Sequence, residues 1–223
     1  AGVAGSHRIL ELVLSLEESD LCLVVLSGGG SALLPAPVDG ISLQDKQAIT
    51  QLLMRGGATI NELNCVRKQL SEIKGGGLAR ACRAGRMVTL VISDVIGDPL
   101  DVIASGPTIE DSSTPAEALE IVGRIVVNSV DVPSSILDRL RRHVYEADQR
   151  PRIDGGRVRN LVIGNNDIAV RAAAARANEL GYRVVNQGSG MAGVAAKVGR
   201  ELAESCLAVR DDNAAGASSI CVI

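Results

Sequence analysis

Leu21-Cys22-Leu23-Val24-Val25-Leu26 runs without interruption into Ser27-Gly28-Gly29-Gly30-Ser31, and this junction decides the fold. A near-continuous apolar run of this kind reads as a strand buried on both faces of a parallel sheet. The same motif recurs along the chain. Met87-Val88-Thr89-Leu90-Val91-Ile92 feeds a long polar loop over 94–113, and Val158 to Ile163 ends in Gly164-Asn165-Asn166-Asp167. Shorter strands are expected at 182–185 and 219–223. Helical stretches separate them, at 4–17, 59–71, 114–127, 134–147, 167–180 and 191–208. Another helix opens at a capping-box-like Ser42/Asp45 and runs to about 54, and one more begins after Gly75-Gly76-Gly77. Residues 148–157 read as an exposed connection and 210–218 as a polar loop.

Strand and helix alternating at this spacing predict an α/β fold. We expect a doubly wound, mostly parallel sheet with helices on both faces, a Rossmann-like three-layer arrangement. Ligands of such sheets sit outside the carboxyl ends of the strands. The loops GGGS, SDVIGD and GNND are therefore expected on one rim.

Composition narrows the function. Hydrophobic residues make up 46% and charged residues 22%, ordinary for a globular protein, yet there is no Phe or Trp and only Tyr145 and Tyr182 are aromatic. A stacking platform for single-stranded nucleic acid is thereby disfavoured. A net charge of −3 and a pI near 5.5 argue against a generic nucleic-acid or anionic-membrane surface. No apolar run approaches the roughly 18 residues of a membrane span, and the first residues do not read as a signal peptide. Cys22, Cys65, Cys82, Cys206 and Cys221 are odd in number, widely spaced and without a CxxC pair. They predict reduced, mostly buried thiols and a cytoplasmic protein.

Three segments carry candidate chemistry. Glycines at 28, 29 and 30 allow successive N–H groups to point at one spot, a nest suited to phosphate or carboxylate, to which Ser31 adds a hydroxyl. A tight strand exit explains Gly28, Gly29 and Gly30 equally well. The loop is neither a Walker loop, nor GxGxxG, nor a GxSxG elbow, and His7 and His143 lie outside all three loops, against a Ser-His-Asp triad. The second segment holds Arg67, Lys68 and Lys74. The chain has four lysines against nineteen arginines, and two of the four fall here beside Gly75-Gly76-Gly77. A retained lysine points to a compact charge for phosphate or carboxylate, with a solvated helical face as the bland alternative. In the third segment, Ser93-Asp94-Val95-Ile96-Gly97-Asp98 ends a strand. Asp94 and Asp98 could hold Mg²⁺ with phosphate oxygens, or one could accept a hydroxyl proton. Asn165 opens a helix whose free N–H groups can receive an anion, while Asn166 or Asp167 suits a helix cap. Asp111-Ser112-Ser113-Thr114 before Pro115 reads mainly as capping.

SGGGSALL at 27–34, NCVRKQLSEIKGGGLA at 64–79 and SDVIGDPLDVIASGPT at 93–108 together resemble the glycerate 2-kinases of the MOFRL type. DSST at 111–114 and GNN at 164–166 fit the same order. The resemblance implies transfer of the ATP γ-phosphoryl to the 2-hydroxyl of D-glycerate, with Mg²⁺, giving 2-phosphoglycerate. It implies a small-molecule substrate and leaves homodimerisation open, while the composition and charge above predict no nucleic-acid or membrane partner. The resemblance also places the 28–31 loop, Arg67, Lys68, Lys74, Asp94 and Asp98 at the active-site rim; the choice of Lys68 and Asp94 as the catalytic candidates is our own inference from their chemistry. Gln69 departs from the histidine expected in the VRKxLS motif. Residues 1–223 are expected to be a single α/β domain, the larger one of a longer two-domain kinase. The family's upstream GKA lysine and its C-terminal domain lie outside this sequence. Alternatives are a non-catalytic anion- or phosphosugar-binding domain and, without a dinucleotide fingerprint to support it, a hydroxypyruvate reductase.

Overall fold

The computed structural model describes residues 1–126, 132–146, 151–212 and 219–223. The fold is α/β, with parallel sheets and intervening helices. The described residues form two compact units, one of 1–92 and 99–163, the other of 93–98 and 164–223.

In the first unit, helix α1 (Gly2–Leu14) leads into β1 (Leu21–Leu26), the short α2 (Gly30–Leu33), α3 (Leu43–Arg55), α4 (Ile60–Gln69), α5 (Gly77–Ala81) and β2 (Arg86–Ile92). A 3-10 turn (Ile103–Ser105), α6 (Pro115–Ile125), α7 (Ser134–Glu146) and β3 (Val158–Gly164) follow. The sheet order is β1-β2-β3. Strands β1 and β2 are parallel, with Leu21 opposite Arg86 and Leu26 opposite Val91. β3 runs the same way, since Met87 N–H donates to Arg157 at one end and Ser93 N–H to Gly164 at the other. All three strands thus end at one edge of the sheet.

Local sequence explains the helix starts. Ser42 with Asp45, Thr59 with Glu62 and Thr114 with Glu117 each form a reciprocal capping box, in which hydroxyl and carboxylate satisfy free N–H groups of the first turn. Pro115 sits at the start of α6, where its missing N–H is not needed. Helices α3, α4, α6 and α7 bury Ile49, Leu53, Val66, Leu70, Val122, Ile136 and Leu140 in one aliphatic core. A second core joins α1, α5 and the sheet through Val13, Leu78, Ala79, Cys82, Met87 and Val158.

One strand expectation is corrected. Leu21, Leu23 and Val25 are 62, 59 and 65% exposed, so β1 is not buried on both faces. Ile92, Leu161 and Ile163 are exposed as well. Period-2 geometry sends alternate side chains to opposite faces, and in β2 the fully buried face is the one carrying Met87, Thr89 and Val91.

The second unit holds α8 (Asn166–Glu179), β4 (Arg183–Val185), α9 (Ala195–Asp212) and β5 (Ile220–Val222), with β4 and β5 parallel. The expected loop at 210–218 and connection at 148–157 lie partly outside the described residues, at 213–218 and 148–150. All five cysteines are free. Cys65 and Cys82 are buried and the other three half-buried. No helix of the described residues is long and apolar enough to cross a membrane.

Gly77 shows how closely the segment after Lys74 is packed. A Cβ at Gly77 would lie 1.9 Å from the Glu72 carbonyl oxygen, a backbone atom that cannot swing aside. Gly77→Ala is expected to destabilise by roughly 3 kcal/mol, the upper range for overpacking. A urea-midpoint comparison reads this, and a loss under about 1 kcal/mol would mean that the turn relaxes freely.

Candidate functional site

In the first unit the Gly28–Ser31 loop leaves β1 and turns at Gly29 (φ 80°) into α2. Gly28 and Gly29 are exposed. Gly30 faces the 104–106 turn, where a Cβ would come within 3.2 Å of the Ala104 methyl. That turn is strained, with left-handed φ at Ala104 (51°), Ser105 (62°) and Gly106 (58°), a conformation that costs on the order of 1 kcal/mol for a non-glycine residue. It is held by Gly75 N–H donating to Ser105 and Gly76 N–H donating to Gly106. The two glycine-rich segments are thereby fixed to one another through the 104–106 turn.

Ser31 is where the cations meet. Arg67 Nη2 donates to its Oγ at 2.9 Å and Lys74 Nζ at 3.0 Å, and Lys74 also donates to the Ser31 carbonyl at 2.6 Å. Ser31 Oγ lies 2.8 Å from Ser105 Oγ. Asn64 Oδ1 accepts from Arg67 and Ser105. Lys74 is 3% exposed. Burial, then the Arg67 and Lys46 charges, pull its ammonium down to about 7. Burial also lowers Arg67. Among the described residues no carboxylate forms an ion pair with Arg67 or Lys74. Positive charge without a carboxylate in a dry setting is what an incoming anion neutralises.

Lys68, one helical position from Arg67, is engaged differently. Its Nζ lies 3.3 Å from Asp111 and 3.6 Å from Asp101, and Lys68 and Asp111 side chains are each 5% exposed. Gln69, which replaces the expected histidine, is buried and donates from Nε2 to Asp111 Oδ2 at 3.1 Å. Ser113 donates to Asp111 through both N–H and hydroxyl. The capping read for the DSST segment falls to Thr114 alone, while Asp111 is the acceptor that anchors the end of α4.

Sequence reasoning missed four contributors. Ser105, Asn64 and Asp111 become visible only when distant segments meet. Lys46, in α3, is 8% exposed, and its Nζ is buried without a hydrogen-bond partner among the described residues. Burial and then the Arg67 charge pull it down to about 8. The one available signal was lysine scarcity, since Lys46 is one of only four lysines in the chain.

Asp94, Asp98 and Asn165 belong to the second unit. Asp94 is exposed. Asp98 adopts φ 50°, and hydrogen bonds from Ser93 and Asn165 hold its carboxyl below the usual carboxylate range. Asn165, rather than Asn166 or Asp167, is the cap of α8, accepting from Ile168 N–H and donating from Nδ2 to Asp98. Among the described residues no cluster of three His, Cys, Asp or Glu side chains is placed to hold a metal.

A pH dependence follows from Lys46 and Lys74. In the unfolded chain both titrate near 10.4, whereas folded they sit at about 8 and about 7. Between about pH 7 and 10 the unfolded state therefore binds more protons, and stability rises with pH across that window. The gradient is expected on the order of 1 kcal/mol per pH unit, and bound phosphate, which favours the charged ammoniums, should flatten it. Urea midpoints at pH 7 and 9 test this, and a fall towards pH 9 contradicts it.

The class defined by this fold and site is a parallel α/β unit whose glycine-rich turns gather Arg67 and Lys74 at one serine. The chain belongs to the family described as a domain of unknown function, DUF4147, whose model matches residues 1–141. It is 45% identical over 196 residues to a glycerate kinase of Danio rerio, covering 86% of this chain and 39% of that protein. A putative hydroxypyruvate reductase of Agrobacterium vitis is 39% identical over 211 residues, covering 94% of this chain and 46% of that protein. The crystal structure of a glycerate kinase from Thermotoga maritima superimposes with a TM-score of 0.72 at 38% identity, over 83% of this chain and 42% of that one. The chain thus spans less than half the length of these relatives.

Proposed function

We propose that this chain contributes the anion-binding α/β portion of a glycerate 2-kinase, which transfers the ATP γ-phosphoryl to the 2-hydroxyl of D-glycerate. The observation that carries the reading is the convergence of Arg67 and Lys74 on Ser31 with no carboxylate among the described residues ion-paired to them. Phosphoryl transfer is chiefly positioning and charge neutralisation, and this cluster offers both to a phosphate or carboxylate oxygen. The relatives named glycerate kinase support the substrate.

Roles divide accordingly. Arg67, Lys74 and the Gly28–Ser31 loop receive an anion. Lys68 is the second cation of the α4 terminus, poised by Asp111 and Asp101 beside that anion site. In the second unit, the low-lying Asp98 carboxylate, fixed by Asn165, and the exposed Asp94 suit Mg²⁺, which typically takes one or two protein carboxylates with phosphate oxygens and waters. Bound there, Mg²⁺ would offset charge on the nucleotide phosphates, and Asp94 could instead accept the substrate hydroxyl proton. We place the protein in the cytoplasm.

The test is a coupled ADP-release assay with D-glycerate, ATP and Mg²⁺, on the 223-residue chain and on a polypeptide of the relatives' length. Activity in the longer form supports the reading. Phosphate binding without turnover in either form replaces it with a non-catalytic anion-binding domain, and NADH oxidation by hydroxypyruvate replaces it with a reductase. A charge-removing change at Lys68 that leaves turnover untouched removes Lys68 from the catalytic set.

A further inference from the structure

We propose that Lys46 supplies the third positive charge of the Ser31 anion site, and that this three-cation set selects a doubly charged phosphoryl group over a singly charged carboxylate. The inference rests on the reading of Ser31, Arg67 and Lys74 as an anion site.

Lys46 lies on the buried side of α3 with Ile49 and Leu53. An ammonium in such a place ordinarily has an acceptor or a carboxylate, because leaving it without one is among the costlier arrangements in a folded protein. Among the described residues Lys46 has neither, and its Nζ is without a hydrogen-bond partner there. Its surroundings make the position still less favourable, since it feels the Arg67 charge and Lys74 feels it in turn. Two buried lysines and the half-buried Arg67, within electrostatic reach of one another and with no carboxylate paired to any of them among the described residues, form a cluster in need of negative charge.

The charge count identifies the ligand. Lys68 is already matched by Asp111, which leaves Lys46, Arg67 and Lys74. A carboxylate brings one negative charge and leaves two cations unmatched. A phosphoryl group brings about −1.5 to −2 near neutral pH, with several oxygens to share among Arg67, Lys74 and the Ser31 hydroxyl. Lys46 acts on that group mainly through its field, which is strong in a weakly screened interior. It is a positioning residue for charge, distinct from the groups that touch the anion.

The experiment is calorimetric titration of the 223-residue chain with inorganic phosphate and, separately, with D-glycerate, for wild type, Lys46→Met and Lys46→Arg. Lys46→Met should weaken phosphate about tenfold, a size typical of losing one charge-assisted contribution, while glycerate changes less than about twofold. Lys46→Arg should restore phosphate binding. In parallel, Lys46→Met without ligand should melt about 2–4 °C higher, because an unpartnered buried charge is gone. That rise separates lost binding from lost folding. Equal phosphate affinity in wild type and Lys46→Met, or an equal loss for both anions, overturns the inference while the Ser31 site stands. Wild type binding neither anion overturns the Ser31 site and this inference together.

Discussion

Lys74→Met is expected to abolish the phosphate response of the chain while leaving it folded. Lys74 gives Ser31 two hydrogen bonds, to carbonyl and hydroxyl, and it is the most deeply buried of the cations at that serine. Losing it removes a charge-assisted donor worth about 1.5–3 kcal/mol, or roughly 10–100-fold in phosphate affinity. In a polypeptide of the relatives' length, where the donor would meet charge developing in transfer, turnover should fall by about 10²–10³. Stability should move little, within about 1 kcal/mol. The Ser31 carbonyl keeps Arg67 as a donor, and the lost bonds are offset by relief of a cation that burial disfavours. The measurement is a pair of melts with and without phosphate for each protein. A Lys74→Met chain whose melt still shifts with phosphate as wild type does would show that Ser31 is only a packing junction.

The contrast between Lys74 and Lys68 marks how far the sequence could be read. Both stood out by their scarcity beside Gly75-Gly76-Gly77, and nothing local separated them. Their difference is set by Asp111, forty-three positions from Lys68, a pairing that no local pattern encodes. Gln69 was recognisable as a departure, but its partner was not, for the same reason. Lys46 was harder still. It sits in Gln44-Asp45-Lys46-Gln47, a polar string that reads as the solvated start of a helix, and only the docking of α3 buries it. The strands and helix starts were legible because they are local. The run at 21–26 is a strand over those same residues, and Ser42 with Asp45 forms the expected capping box. What failed at β1 was burial: an apolar run specifies a strand, yet what covers its second face is decided by other segments.

Asp111→Ala should be the most destabilising polar change in the first unit. It strands the Lys68 ammonium and takes one acceptor from the Gln69 amide and from the Ser113 N–H, which all converge on one carboxylate. Breaking a buried pair by removing one partner costs about 3–5 kcal/mol, because the remaining charge is left uncompensated. Asp101, 3.6 Å from Lys68 but 42% exposed, offsets part of this, so about 3 kcal/mol is expected. For a chain of this size that is a fall of roughly 6–12 °C in melting temperature. The double variant Lys68→Met/Asp111→Ala supplies the control, since it removes the stranded charge and should recover much of the loss. Recovery in the double variant assigns the penalty to the unpaired Lys68 charge. Without recovery, the penalty belongs to the Gln69 and Ser113 hydrogen bonds, and Asp111 is then the clasp between α4 and the start of α6 more than a counter-ion. In either case the carboxylate at 111 keeps Lys68 occupied, and the burden of binding an anion falls on Arg67 and Lys74.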